Sequence, residues 1–84
     1  MNPNDEVKMP KDVAVGLIIQ MAQGNDDAIN RWEMDPLRTS AQLTHWRERQ
    51  RVIRERSENI KEGPPDANYS GMITEAIEAL AAVQ

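Results

Sequence analysis

From Leu43 to Ile60 the chain carries a frame that only a helix satisfies. Leu43, Trp46, Gln50, Ile53, Ser57 and Ile60 step by 3, 4, 3, 4 and 3 residues, the a/d spacing of a helix-packing seam. Such a seam requires a long helix with one face held against another helix. Four of the six positions are apolar, and two, Gln50 and Ser57, are polar. Gly63-Pro64-Pro65 stops the run, and two starts fit its beginning: Asp35-Pro36, as cap and first residue, or the capping box Thr39-Ser-Ala-Gln42. Taken from Pro36, the helix spans 36–62, and from either start it is a rod of roughly 36–40 Å.

The rest of the chain supplies the helices this one packs against. Pro10 suits a helical first turn, and Val13, Leu17 and Met21 share a face with Ala14, Ile18 and Ala22 beside it, so a helix over 11–23 is apolar around most of its circumference. The β-branched run Val13–Ile19 also fits a buried strand, but no later segment offers a strand to pair with it. Gly24 reads as a helix stop, and Asn25 with Asp26 and Asp27 as the cap and first turn of a short helix over 26–34 that buries Ile29 and Trp32. Tyr69, Met72, Ile73, Ala76, Ile77, Leu80 and Val83 form an amphipathic stripe for a last helix over 68–83. The expectation is an all-α fold, a small bundle of about four helices forming a single domain over 10–84 behind an N-terminal arm over 1–9.

Eighty-four residues limit what such a bundle does. A thin core leaves little room for a closed catalytic pocket. There is no cysteine, hence no disulfide or thiolate site, and one histidine, His45, without an acid cluster around it does not make a zinc site. Asp26, Asp27, Glu33 and Asp35 lack EF-hand spacing, and no nucleophile or glycine-rich phosphate loop accompanies the acids. No catalysis, cofactor or metal is expected. No segment is apolar over the ~20 residues a membrane span needs, and the acidic start Met-Asn-Pro-Asn-Asp-Glu is unlike a signal peptide, so the expected location is cytoplasmic.

Charge is segregated by element. The net charge is −4. Residues 38–61 sum to +4, however, and residues 1–37 and 62–84 to −4 each. Arg49 and Arg56 border one side of the seam, and Arg47, Arg51 and Arg54 the other. Three readings fit them: a solvated face with Arg51–Glu55 and Arg54–Glu58 pairs one turn apart, contact with acidic segments of this chain or of another copy, or contact with a phosphate backbone. Arginine outnumbers lysine in this helix, which favours specific forked contacts. Trp46 joins Arg47, Arg49, Arg51, Arg54 and Arg56 as a candidate partner-binding residue, since Trp and Arg are enriched where interfaces are anchored; core packing is the alternative for Trp46 and for Trp32.

These features predict a small non-catalytic helical module that binds a protein partner or its own copies. Small accessory proteins, including those of bacteriophages, share this lack of cysteine and of any site; as such a viral protein it would be a multi-copy component of a virion or complex, or an inhibitor of a host protein, placed in the host cytoplasm or the virion. A second reading, a helix-turn-helix DNA-binding regulator, takes the helix over 26–34, the Asp-Pro turn and the start of the basic helix as its motif, with Arg38, Thr39, Ser40, Gln42, Thr44 and His45 placed to read bases. The negative total charge opposes it, and nucleic acid is not the expected partner.

Overall fold

Pro10 is extended, with φ −63° and ψ 160°, and the chain turns helical at Lys11. The computed structural model describes residues 8–84, and these form three helices: α1 (Lys11–Met34), α2 (Ser40–Glu62) and α3 (Ser70–Ala81). The all-α class holds, with three helices in place of four. Val13–Ile19 is helical, and no strand occurs among the described residues.

The expected break at Gly24 is absent, so 11–23 and 26–34 are one helix of 24 residues. Gly24 lies on the outer side of α1, where an added Cβ would meet nothing within 4 Å. Asn25 does not cap a new helix. It is buried, and its Nδ2 donates to the Trp46 carbonyl of α2 at 3.0 Å. A glycine inside a helix costs about 1 kcal/mol relative to alanine, and the stripe Ile18, Asn25, Ala28 and Trp32 facing α2 outweighs that. The second candidate start of the long helix is the one used: Thr39 Oγ1 accepts from Gln42 N–H at 3.2 Å, and Gln42 Oε1 accepts from Thr39 N–H at 3.0 Å. α2 therefore covers 40–62 rather than 36–62, and Arg38 lies in the connection. The last helix is likewise shorter than the expected 68–83.

α1 and α2 form an antiparallel hairpin, and their cross-bonds mirror one another along its length. Trp32 Nε1 donates to the Thr39 carbonyl at 2.8 Å near the tip, Asn25 reaches Trp46, and Gln50 Nε2 donates to Asp26 Oδ1 at 3.4 Å. At the open end the Lys11 ammonium donates to the carbonyls of Lys61 and Gly63 at 2.6 and 2.7 Å, a cation on the negative end of α2. This side-by-side arrangement is not the crossed pair of a helix-turn-helix, whose helices meet at about 90–120°.

α3 returns antiparallel along α2 and covers one side of it. Tyr69, buried, starts this return: its N–H donates to the Met9 carbonyl at 2.9 Å and its hydroxyl to the Pro64 carbonyl. Asn68 Oδ1 accepts from Met9 N–H and Ser70 N–H at 2.9 and 3.1 Å. Of the expected arm over 1–9, residues 1–7 lie outside the described residues, while Met9 is fastened to the start of α3 and packs on the core. That core is Ala14, Ile18, Val52, Ile53, Ile60, Tyr69, Ile73, Ala76 and Leu80. Burying a side chain such as Ile18 or Ile60 contributes about 1.5–3 kcal/mol. Val52, placed by helical geometry opposite the seam, is buried too, because α3 lies on that side. α2 is thus covered on two faces, Ile53 and Ile60 inward and Val52 beneath α3.

Candidate functional site

The five seam-bordering arginines go to three different places. Arg49 and Arg56 face α3. Arg49 Nη1 donates to the Leu80 carbonyl in the last turn of α3 at 3.1 Å, and its guanidinium lies 5.7 Å from the centre of the Trp46 ring. Arg49 therefore closes the C-terminal end of one helix while packing on the aromatic of another. Arg56 Nη1 is 4.0 Å from Glu75 of α3. Of the two, Arg56 meets an acidic side chain of the flanking segment and Arg49 a backbone carbonyl.

Arg51 points away from both neighbours. Its Nε donates to Glu48 Oε1 and Oε2 at 3.1 and 3.2 Å, its Nη2 also reaches Glu48, and its Nη1 donates to Glu55 at 3.1 Å. The forked hydrogen bonds from Arg51 hold the Glu48 carboxyl below the usual carboxylate range, and the same bonds push the Arg51 guanidinium up. All three side chains are about half exposed or more, so the trio is a solvated cluster of small energetic weight.

Arg47 and Arg54 are different. They lie on the side of α2 that α3 leaves open, both are exposed, and among the described residues neither makes an ion pair. A shallow groove runs here between α1 and α2. Its deeper part, a cleft of about 310 Å³, is lined by Ile18, Ile19, Ala22, Asn25, Ile53 and Arg54 among others, and it continues past Asp26 and Gln50 to Ile29, Glu33, Leu43 and Arg47. Every seventh residue repeats along each wall. On α1 these are Ile19, Asp26 and Glu33, with Ala22 and Ile29 inside them; on α2 they are Arg47, Arg54 and Lys61, with Leu43, Gln50 and Ser57 inside them. The α1 wall carries Asp26 and Glu33, the α2 wall carries Arg47, Arg54 and Lys61 with Glu58 among them, and the floor mixes Ala22, Ile29 and Leu43 with Gln50 and Ser57. The two polar seam positions are explained here, since Gln50 and Ser57 sit half-buried at the groove rather than in the core.

Trp46 stays inside the hairpin, half-buried, with the His45 ring edge-on at 4.8 Å and Arg49 over it. His45 is half-buried against that ring. Trp32 carries the Arg38 guanidinium 5.8 Å from its ring centre. Arg38, Thr39 and Gln42, three of the residues suited to reading bases, are therefore engaged at the hairpin tip.

The sequence pointed to the basic wall through its arginines and missed the acidic one, because the supposed break at Gly24 hid the seven-residue spacing that joins Ile19 to Asp26 and Glu33. Among the described residues no helix is long and apolar enough to cross a membrane, and no three His, Asp or Glu side chains converge as metal ligands would. No protein-family model, curated protein or solved structure matches the chain.

Proposed function

We propose that this chain is a small non-catalytic interaction module that works by protein–protein contact through the open side of its α1–α2 hairpin, as one component of a multi-copy assembly. The observation that carries this reading is the state of Arg47 and Arg54: exposed, outside any ion pair among the described residues, and set beside the groove's Ile and Leu side chains, while the other seam arginines are occupied within the fold. Exposed arginine beside Ile and Leu is the composition of a contact surface. The molecule's radius of gyration is 15.3 Å against about 12 Å for a compact domain of this length, so the hairpin is an extended surface rather than a closed ball.

The test uses position-resolved crosslinking. A photo-crosslinking residue at Arg54 should yield adducts to protein in cells that produce the chain, and the same residue at Arg51 should not. Adducts to nucleic acid, or none at Arg54, would overturn the reading. Duplex DNA should bind no tighter than ~10 μM at physiological salt, where weak non-specific binding begins. Sub-micromolar, sequence-dependent binding lost in Arg47→Gln/Arg54→Gln would establish the DNA-binding regulator instead.

A further inference from the structure

We infer that the occupant of this groove is a second copy of the same chain, joined about a two-fold axis that runs parallel to the hairpin, so that α1 of each copy lies antiparallel on α2 of the other. This rests on the protein-contact reading above and names the partner.

The argument is one of charge and symmetry. A two-fold interface must be self-complementary: what one copy presents at one point it must accept at the symmetry-related point. This face carries both halves of such a match, Asp26 and Glu33 on one wall and Arg47 and Arg54 on the other. Two axes in the plane of the face bring two hairpins together with their helices aligned. An axis across the helices stacks α1 on α1 and α2 on α2, acid against acid and arginine against arginine, which is strongly disfavoured. An axis along the helices stacks α1 on α2. The level of each residue is set by the bond from Gln50 to Asp26 within one copy. Because the axis along the helices preserves height, Asp26 of the second copy lies opposite Gln50, between Arg47 and Arg54, each within about one helical turn.

The apolar residues inside the walls fit the same arrangement. Ala22, Ile29 and Leu43 are half-buried in the single chain, and Ile19, on the α1 wall, is 46% exposed. Facing their equivalents, Ala22, Ile29 and Leu43 would complete the centre of a four-helix bundle in which every neighbouring pair is antiparallel, with Ile19 at its edge. A face about 36 Å long and two helices, about 20 Å, wide presents on the order of 700 Å² per copy, close to the ~800 Å² of a standard interface.

Solution mass measured by sedimentation, with helical content followed by circular dichroism, tests this. The native chain should be a dimer. Arg47→Glu/Arg54→Glu and Asp26→Lys/Glu33→Lys should each remain helical and weaken self-association at least about 100-fold through like-charge contacts. All four positions are exposed, so both variants should fold. An equimolar mixture of the two should form a heterodimer, a result that neither misfolding nor a different interface reproduces. A native dimer indifferent to both reversals, or a mixture that fails to pair, would overturn the proposal. A native chain that stays monomeric at concentrations on the order of 100 μM, where a micromolar dimer is saturated, would overturn the second copy as occupant. Protein adducts at Arg54 would then still support the broader reading, and their absence would end both.

Discussion

The stretch of hairpin that α3 covers and the stretch beyond it are made of the same two helices, yet they bury very different amounts. Beneath α3, Ala14, Ile18, Ile53 and Ile60 close with Val52, Tyr69, Ile73 and Leu80 into a continuous core. Toward the tip, Asn25 and Ala28 are the buried residues among those described, and Met34 and Leu37 at the turn are 85% and 83% exposed. The tip is held by polar bonds instead: the Trp32–Thr39 bond, the Thr39–Gln42 capping box and the Asn25 bridge. Three layers of side chains make a core, whereas two helices alone make an ordered surface. The teaching is that a third layer gives one half of the hairpin a core and leaves the other half to polar bonds, while the open groove runs along both.

The largest expected effect tests that separation. Ile53→Asp and Val52→Asp should each destabilise by several kcal/mol, comparable to the whole stability of a chain this size, because both positions are buried and a carboxylate there must give up its hydration. Ile29→Asp, in the tip half, should cost far less in chemical denaturation of the dissociated chain. If it proved as damaging as Ile53→Asp, the tip would belong to the core and the comparison would fail.

Next in size is Gly63→Ala. A Cβ there would overlap the Tyr69 hydroxyl, and Tyr69 is buried with its ring fixed. A loss of about 1–3 kcal/mol is expected from overpacking. Tyr69→Phe in the same chain should recover part of it, since removing the hydroxyl removes the overlap. A neutral Gly63→Ala would mean that the junction of α2 and α3 yields.

How much of this was legible in advance depended on what the residues report. The stop at Gly63 and the capping box at Thr39, one of the two starts read, are local signals and both are used, while the seam Leu43–Ile60 is realised in part, with Ile53 and Ile60 buried and Gln50 and Ser57 at the groove. Gly24 misled because a helix stop needs both a permissive residue and an end to the packing, and at Gly24 the packing continues through Ile18, Asn25 and Trp32. The burial of Val52 was not legible, because helical geometry says which face a residue is on but not how many neighbours the helix has. For the candidate surface, periodicity separated Arg49 and Arg56 from Arg47 and Arg54. It could not show that α3 would occupy the first pair, since that depends on a contact thirty-one residues apart in sequence.

Gly24→Ala sharpens the first of these points with a smaller effect. The site is open, so the substitution should raise stability by about 0.5–1 kcal/mol in thermal or chemical denaturation. Destabilisation would mean that Gly24 serves a bend in α1.

The smallest effect concerns the solvated trio. In a carboxyl titration followed by NMR, Glu48 should titrate below an ordinary glutamate, and Arg51→Gln should return it to the ordinary range. A lowered carboxyl value means that the folded chain favours the ionised form. Its contribution is therefore present above the unfolded-state pKa and is lost as pH falls through the lowered folded value. Both carboxylates of the trio are solvent-exposed, so the change in overall stability should be barely measurable.

The positions of the three large aromatics have an optical consequence. Trp32 is bonded at the tip, Trp46 lies where Arg49 joins the hairpin to the last turn of α3, and Tyr69, the single tyrosine, lies in the core. Both indoles thus sit on the tip side of the core, and their emission reports that part of the hairpin. The lone phenol is outweighed by two indoles in the near ultraviolet, so far-ultraviolet circular dichroism reports the helices as a whole. Coincident denaturation curves from the two would mark the chain as one cooperative unit, and an earlier indole transition would mark the tip as a separately melting segment. The wild-type protein, unlabelled, already carries both readouts.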